Sequence, residues 1–112
     1  MFLTVFTVLA SLLTANAAII EMFSDKECKD HVGTVNVWDN TCARTTGFES
    51  FVITAEGGFQ QTIRAHLRND CVVPYTQCAS ASATGRCTTA YNNQGASHAF
   101  SSYWSMDGCE TA

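Results

Sequence analysis

His66 lies between Arg64 and Arg68 in a stretch whose side chains alternate, Phe59-Gln60-Gln61-Thr62-Ile63-Arg64-Ala65-His66-Leu67-Arg68. A period of two puts the imidazole and both guanidinium groups on one face of a strand, opposite Phe59, Ile63, Ala65 and Leu67. With a carboxylate from Glu49 or Glu56 on a partner strand, such a face could move protons and clamp a phosphate. A solvated polar face explains the same residues more simply, so no catalytic residue is assigned; His66, Arg64 and Arg68 stand as the alternative catalytic set. His31 and His98 complete the histidines. No Gly-x-Ser-x-Gly elbow occurs, and no cysteine is expected to be free as a nucleophile.

The six cysteines, Cys28, Cys42, Cys71, Cys78, Cys87 and Cys109, are the other reactive group. Their spacings are wide and irregular, with no Cys-x-x-Cys, which argues against zinc. An even count in a small chain reads as three disulfides, provided the chain leaves the cell. Met1 to Leu13 is apolar apart from Thr4, Thr7 and Ser11, and Ala15-Asn16-Ala17 places small residues where a signal peptidase reads. Residues 1–17 are therefore read as a signal peptide, with Ala18 as the alternative cleavage point. An apolar core this short does not span about 30 Å of hydrocarbon, so no membrane span is expected. Residues 18–112 then form one secreted, disulfide-rich β domain, in which each bridge adds about 2–4 kcal/mol.

The formal net charge of −4 weighs against nucleic acid and anionic lipid as partners, because both are bound through clusters of Lys and Arg. It also weighs against the basic, membrane-permeabilising class of antimicrobial proteins.

The elements that must carry these residues are strands throughout. Ile19 to Ser24 alternates, as does the run from Gly33 to Trp38, which Asp39-Asn40 closes. Phe48 to Thr54 reads as one strand, rich in aromatic and β-branched residues. Glu56-Gly57-Gly58 would turn it back onto Phe59–Arg68 as a hairpin, since glycine tolerates positive φ. Val72 to Tyr75 is extended, with Pro74 suited to an edge or loop. Ala79 to Gly85 could be a short helix, but its flanking cysteines favour a surface loop. Cys87–Tyr91 and Ser97–Trp104 are the last strands, His98, Phe100, Ser102 and Trp104 sharing a face. No sustained 3.6-residue period occurs, so the expected fold is all-β, a disulfide-stapled antiparallel sandwich.

A repeat is visible within this pattern. Ile20-Glu21-Met22-Phe23-Ser24-Asp25-Lys26-Glu27-Cys28 and Ile63-Arg64-Ala65-His66-Leu67-Arg68-Asn69-Asp70-Cys71 run from Ile through an alternating strand and a charged turn to Cys at the same offset. The mature chain would then be two similar four-strand units packed face to face. The repeat suggests Cys28–Cys42 and Cys71–Cys87, leaving Cys78–Cys109, one of many connectivities open to six cysteines.

Ile20-x-Met22-Phe23-Ser24-Asp25-x-x-Cys28, followed by Ser50-Phe51-Val52-Ile53, resembles the βγ-crystallin Greek-key motif. The resemblance implies a Greek-key sandwich, with Phe23 as a corner aromatic and Ser50 as a structural serine. It is also similar to small, cysteine-bearing secreted fungal proteins. Here Gly33 falls later than the hairpin glycine of that family. Crystallin-type calcium sites join paired Asn/Asp to later hydroxyls; Asn92-Asn93-Gln94-Gly95-Ala96-Ser97 lacks one hydroxyl at Ala96, and Asp39-Asn40 is followed by Ala43-Arg44. No metal or other cofactor is expected.

The resemblance implies a secreted binding protein of fungal effector or virulence type, with a host or competitor extracellular protein or cell-wall component as partner. A small secreted ribonuclease or a killer-toxin-like antimicrobial protein is the alternative. The Tyr-x-His-x-Tyr and Glu-x-Pro stretches of guanyl-specific ribonucleases are absent. Trp38, Tyr103 and Trp104 could stack on chitin if exposed, although core packing is the commoner use of aromatics.

Overall fold

The computed structural model describes residues 17–58, 60–72, 75–91, 95–104 and 109. Residues 1–16, 59, 73–74, 92–94, 105–108 and 110–112 lie outside the described residues, and with them the readings made on Phe59, Pro74 and Asn92–Gln94. Eight strands carry the fold: β1 (Ala17–Phe23), β2 (His31–Trp38), β3 (Cys42–Phe48), β4 (Ser50–Ala55), β5 (Gln61–His66), β6 (Tyr75–Ser80), β7 (Cys87–Thr89) and β8 (Ser97–Trp104). They form two four-stranded sheets, ordered β2-β1-β4-β7 and β3-β8-β5-β6, with every pairing antiparallel.

The alternation in the sequence decides which side of each strand is covered. In β1, Ala18, Ile20 and Met22 are buried, while Ala17, Ile19, Glu21 and Phe23 keep some exposure. Ile63 and Ala65 of β5 are fully buried in the same core, joined by Val37, Ile53 and Ala81. Three phenylalanines lock the layers. Phe48 stacks on Phe100 at 4.6 Å between centroids, and Phe51 meets Phe100 edge-on at 5.1 Å. Phe51 belongs to the first sheet and the other two to the second, so this cluster holds the sheets together.

Phe48–Thr54 is not one strand, and it does not form a hairpin with the strand that carries His66. The chain breaks at Glu49: Phe48 ends β3 in the second sheet and Ser50 begins β4 in the first. β4 pairs with β1 and β7, β5 with β6 and β8, so the glycines after β4 carry the chain between sheets. The reason lies in what those glycines touch. A Cβ on Gly57, whose φ is +72°, would meet Gln61 Oε1 and come within 2.5 Å of the Ala18 nitrogen; one on Gly58 would meet the Asp39 carboxylate. Their bareness lets the backbone approach the head of β1 and the end of β2 instead of closing a two-residue turn. Gln61 completes the junction by donating to the Val37 carbonyl and accepting from the Gly58 N–H, which is why a glutamine is tolerated in the core. Ala79 and Ser80 belong to strand β6, not to a loop beginning at Ala79.

The two four-strand units exchange their third strands. β1, β2 and β4 share a sheet with β7, and β5, β6 and β8 share one with β3. The repeat survives at backbone level: Cys28 and Cys71 both have φ of 58°, and their Sγ atoms lie against the carbonyls of Phe51 and Phe100 respectively.

The disulfides are Cys28–Cys87, Cys42–Cys71 and Cys78–Cys109, so two of the three pairings suggested by the repeat are overturned. Cys28 and Cys71 do occupy equivalent turns, and Cys42 and Cys87 equivalent third strands. Because those strands sit in the other unit's sheet, each turn is bonded to the partner unit's third strand.

Candidate functional site

The outer face of the second sheet gathers most of the residues singled out for chemistry. Arg64, at the middle of β5, is opposite Ser101 of β8 and Cys78 of β6. Tyr75 is opposite His66 on one side, and Tyr103 opposite Thr62 on the other. The two tyrosines reach over Arg64 from the flanking strands, their ring centroids 4.8 and 4.6 Å from the guanidinium carbon. Each such contact contributes about 0.5–2 kcal/mol, more as water is excluded, and together they fix the rotamer of a flexible side chain.

This face is not the wet one expected for Thr62, Arg64, His66 and Arg68. Thr62 and His66 are buried, His66 only 2% exposed, and Arg64 is half-buried; Arg68 alone is open to solvent. For His66 the cause is the turn Leu67–Val72, which folds back over that end of the sheet. Cys71 is bonded to Cys42, the Arg44 Nε–H donates to the Asn69 carbonyl at 3.1 Å, and Arg68 pairs with Asp70 at 3.0 Å. His98 Nδ1 lies 2.9 Å from the Leu67 carbonyl and His66 Nδ1 3.0 Å from that of Val72. A carbonyl accepts only, so both nitrogens carry the proton, and both histidines tie down the turn.

With Nδ1 protonated, neutral His66 offers Nε2 as acceptor to the Ser101 hydroxyl, 2.6 Å away. Burial holds the imidazole below its ordinary pKa, reinforced by the Arg64 charge and opposed by the Val72 bond and Asp70. Since the folded value is lowered, the unfolded chain binds more protons between the two values, and stability falls as pH drops. The urea midpoint is therefore expected to decline as pH falls through about 6.5 toward the lower folded value. A His66→Asn variant should show a shallower slope in that window; an equal slope would assign the effect to other groups.

The carboxylates invoked for acid–base chemistry are not beside this set. Glu49 sits at the first sheet, its N–H bonded to Phe23 and its carbonyl to Ala90, and Glu56 follows β4 of the same sheet. His31 is on the outer side of the first sheet, 2.5 Å from Glu21, which also accepts from Thr34. The Thr34 bond, and then His31, lower the Glu21 pKa. The structure thus brings together Arg64, His66 and Ser101, sets His98 on the same covering turn as His66, and leaves His31 apart on the first sheet. Ser101 and Tyr75 were missed because cross-strand neighbours carry no signal within one stretch of chain.

The equivalent turn of the first unit, Ser24–Asp30, is built from oxygen acceptors. Ser50 Oγ donates to the Asp25 carbonyl at 2.5 Å and accepts from the Cys28 N–H at 3.1 Å. The Asp25 carboxylate accepts the N–H groups of Glu27, Lys29 and Asp30, chiefly the last, which holds its pKa below the usual range.

Of the aromatics considered for sugars, Trp38 on edge strand β2 is 48% exposed and Tyr103 is packed on Arg64; the Trp104 side chain lies outside the described residues. Among the described residues no three His, Cys, Asp or Glu side chains gather as a metal site, and no helix is long and apolar enough to cross a membrane. No family model, curated protein or solved structure matches this chain.

Proposed function

We propose that the chain is a secreted, cysteine-rich binding protein of fungal effector type, directed at a host or competitor extracellular protein or cell-wall component. The observation that carries this reading is the cross-linking itself. Two of the three bridges join one unit's turn to the other unit's third strand, as suits a small domain that must persist in an oxidising, protease-rich medium. Cleavage after Ala17 would leave Ala18, buried, at the head of β1. The fold is proposed to be a βγ-crystallin-like pair of Greek keys. Its support is the order β4-β1-β2 with an exchanged third strand in each half, and the Ser50 hydroxyl that closes the first turn.

A binding role is favoured over ribonuclease because both ring nitrogens of His66 are engaged and the ring is closed from solvent. Purified mature protein incubated with total RNA should leave it intact. Hydrolysis that disappears in a folded His66→Gln variant would replace the binding reading with catalysis. Retention on host extracellular-matrix material or on microbial wall, measured side by side, distinguishes a host-directed from an antimicrobial role.

A further inference from the structure

Arg64 is a cation held in place with nothing to hold. Among the described residues its guanidinium makes no hydrogen bond and no ion pair; its contacts are the faces of Tyr75 and Tyr103. Nε is buried and has no acceptor, on a residue that as a whole keeps some exposure. Leaving a charged donor partly dehydrated and unsatisfied is unfavourable, and a ligand that completes it is one way to offset that cost. Among the described residues the surroundings of Arg64 carry more cations than carboxylates, on an acidic chain. On this face and its covering turn, the described cations are Arg44, Arg64 and Arg68, against the carboxylate of Asp70, whose Oδ2 pairs with Arg68 while its Oδ1 is buried without a partner.

We infer that Arg64, clamped by Tyr75 and Tyr103 and bordered by Ser101, is the subsite for a carboxylate of a uronate-bearing oligosaccharide. A planar guanidinium fork matches a planar carboxylate, and its rotamer is already fixed, so little side-chain entropy is lost on binding. The chemistry selects against denser polyanions. The few described arginines of this face, one of them paired with Asp70, do not offset the close-spaced phosphates of a nucleic acid on a chain of net charge −4. A sugar acid asks for one charge-assisted contact, hydroxyl partners and aromatic surface. Ser101, directly across from Arg64, brings a hydroxyl oxygen that can still accept after donating to His66, and the two tyrosines bring aromatic rings to the same face, which the Cys78–Cys109 bridge borders.

The inference deepens the extracellular binding reading and rests on it. Its test is calorimetric titration of the oxidised mature protein with short oligogalacturonates, beside the same oligomers fully methyl-esterified, which keep the sugar rings and lose the charge. Binding should weaken about tenfold or more on esterification, and likewise in Arg64→Gln, as loss of a charge-assisted pair requires. Arg68→Gln, outside the tyrosine clamp, should stay within about twofold, and unchanged urea midpoints would show that the variants are folded. Equal affinity for esterified and free oligomers, or for Arg64→Gln and the parent, overturns the assignment, as does the absence of binding at millimolar ligand. If Arg64→Gln is still retained on wall material like the parent, this subsite falls while the binding reading stands. If neither protein is retained on any extracellular material, that reading falls too.

Discussion

Phe100→Ala should be the most damaging single truncation in the chain, costing about 3–5 kcal/mol, a large part of the roughly 5–15 kcal/mol typical of a folded domain. Phe100 is fully buried, stacked on Phe48 and edge-on to Phe51. Phe48 and Phe51 lie on opposite sides of the break at Glu49, in different sheets, so the ring of Phe100 fastens the point where the chain changes layers. Removing it opens a cavity and loosens that crossing at once. Asn36→Ala, on the exposed face of edge strand β2, should stay within about 0.5 kcal/mol. Urea unfolding of both variants with disulfides intact measures the difference. Similar midpoint shifts would mean that Phe100 does not occupy the shared core.

What could be read from the sequence was local. The alternation put Ile20 and Met22 on one face of Ile19–Ser24 and Ile63 and Ala65 inside in Phe59–Arg68, and all four are buried, whereas Leu67, expected inside with them, is only partly so. The all-β class and three bridges without a free cysteine among those found were equally legible. Errors arose where a tertiary contact overrode a local signal. Glu56-Gly57-Gly58 has the composition of a hairpin turn, but its glycines serve a close approach to Ala18 and Asp39, contacts with no trace in the neighbouring residues. His66 belonged to the polar register of its strand, yet is buried by a turn that another strand's cysteine and two histidines hold down. Polar residues on an outer face read as wet unless the covering loop is known. The candidate site was half legible for the same reason: Arg64 and His66 share a strand, whereas Tyr75, Ser101 and Tyr103 arrive from flanking strands.

The exchange of third strands also dictates which bridges can be lost. Replacing both Cys28 and Cys87, or both Cys42 and Cys71, with serine should cost about 2–5 kcal/mol, since each bridge closes a long stretch, 59 and 29 residues apart in sequence. The chain-entropy account makes the longer closure the costlier by a few tenths of a kcal/mol, a margin that strain or residual structure can erase. The firmer expectation concerns equivalence. Each bridge fastens a turn in which a cysteine holds positive φ to a strand borrowed from the other unit, so losing either should loosen both sheets together. The unfolding transition should therefore stay single and cooperative while its midpoint falls. Mass spectrometry of an unreduced digest should link Cys28 to Cys87 and Cys42 to Cys71. A peptide joining Cys28 to Cys42 would mean that each unit keeps its own third strand. A two-step transition in the double-serine variants would lead to the same conclusion, because units that exchange strands cannot unfold separately.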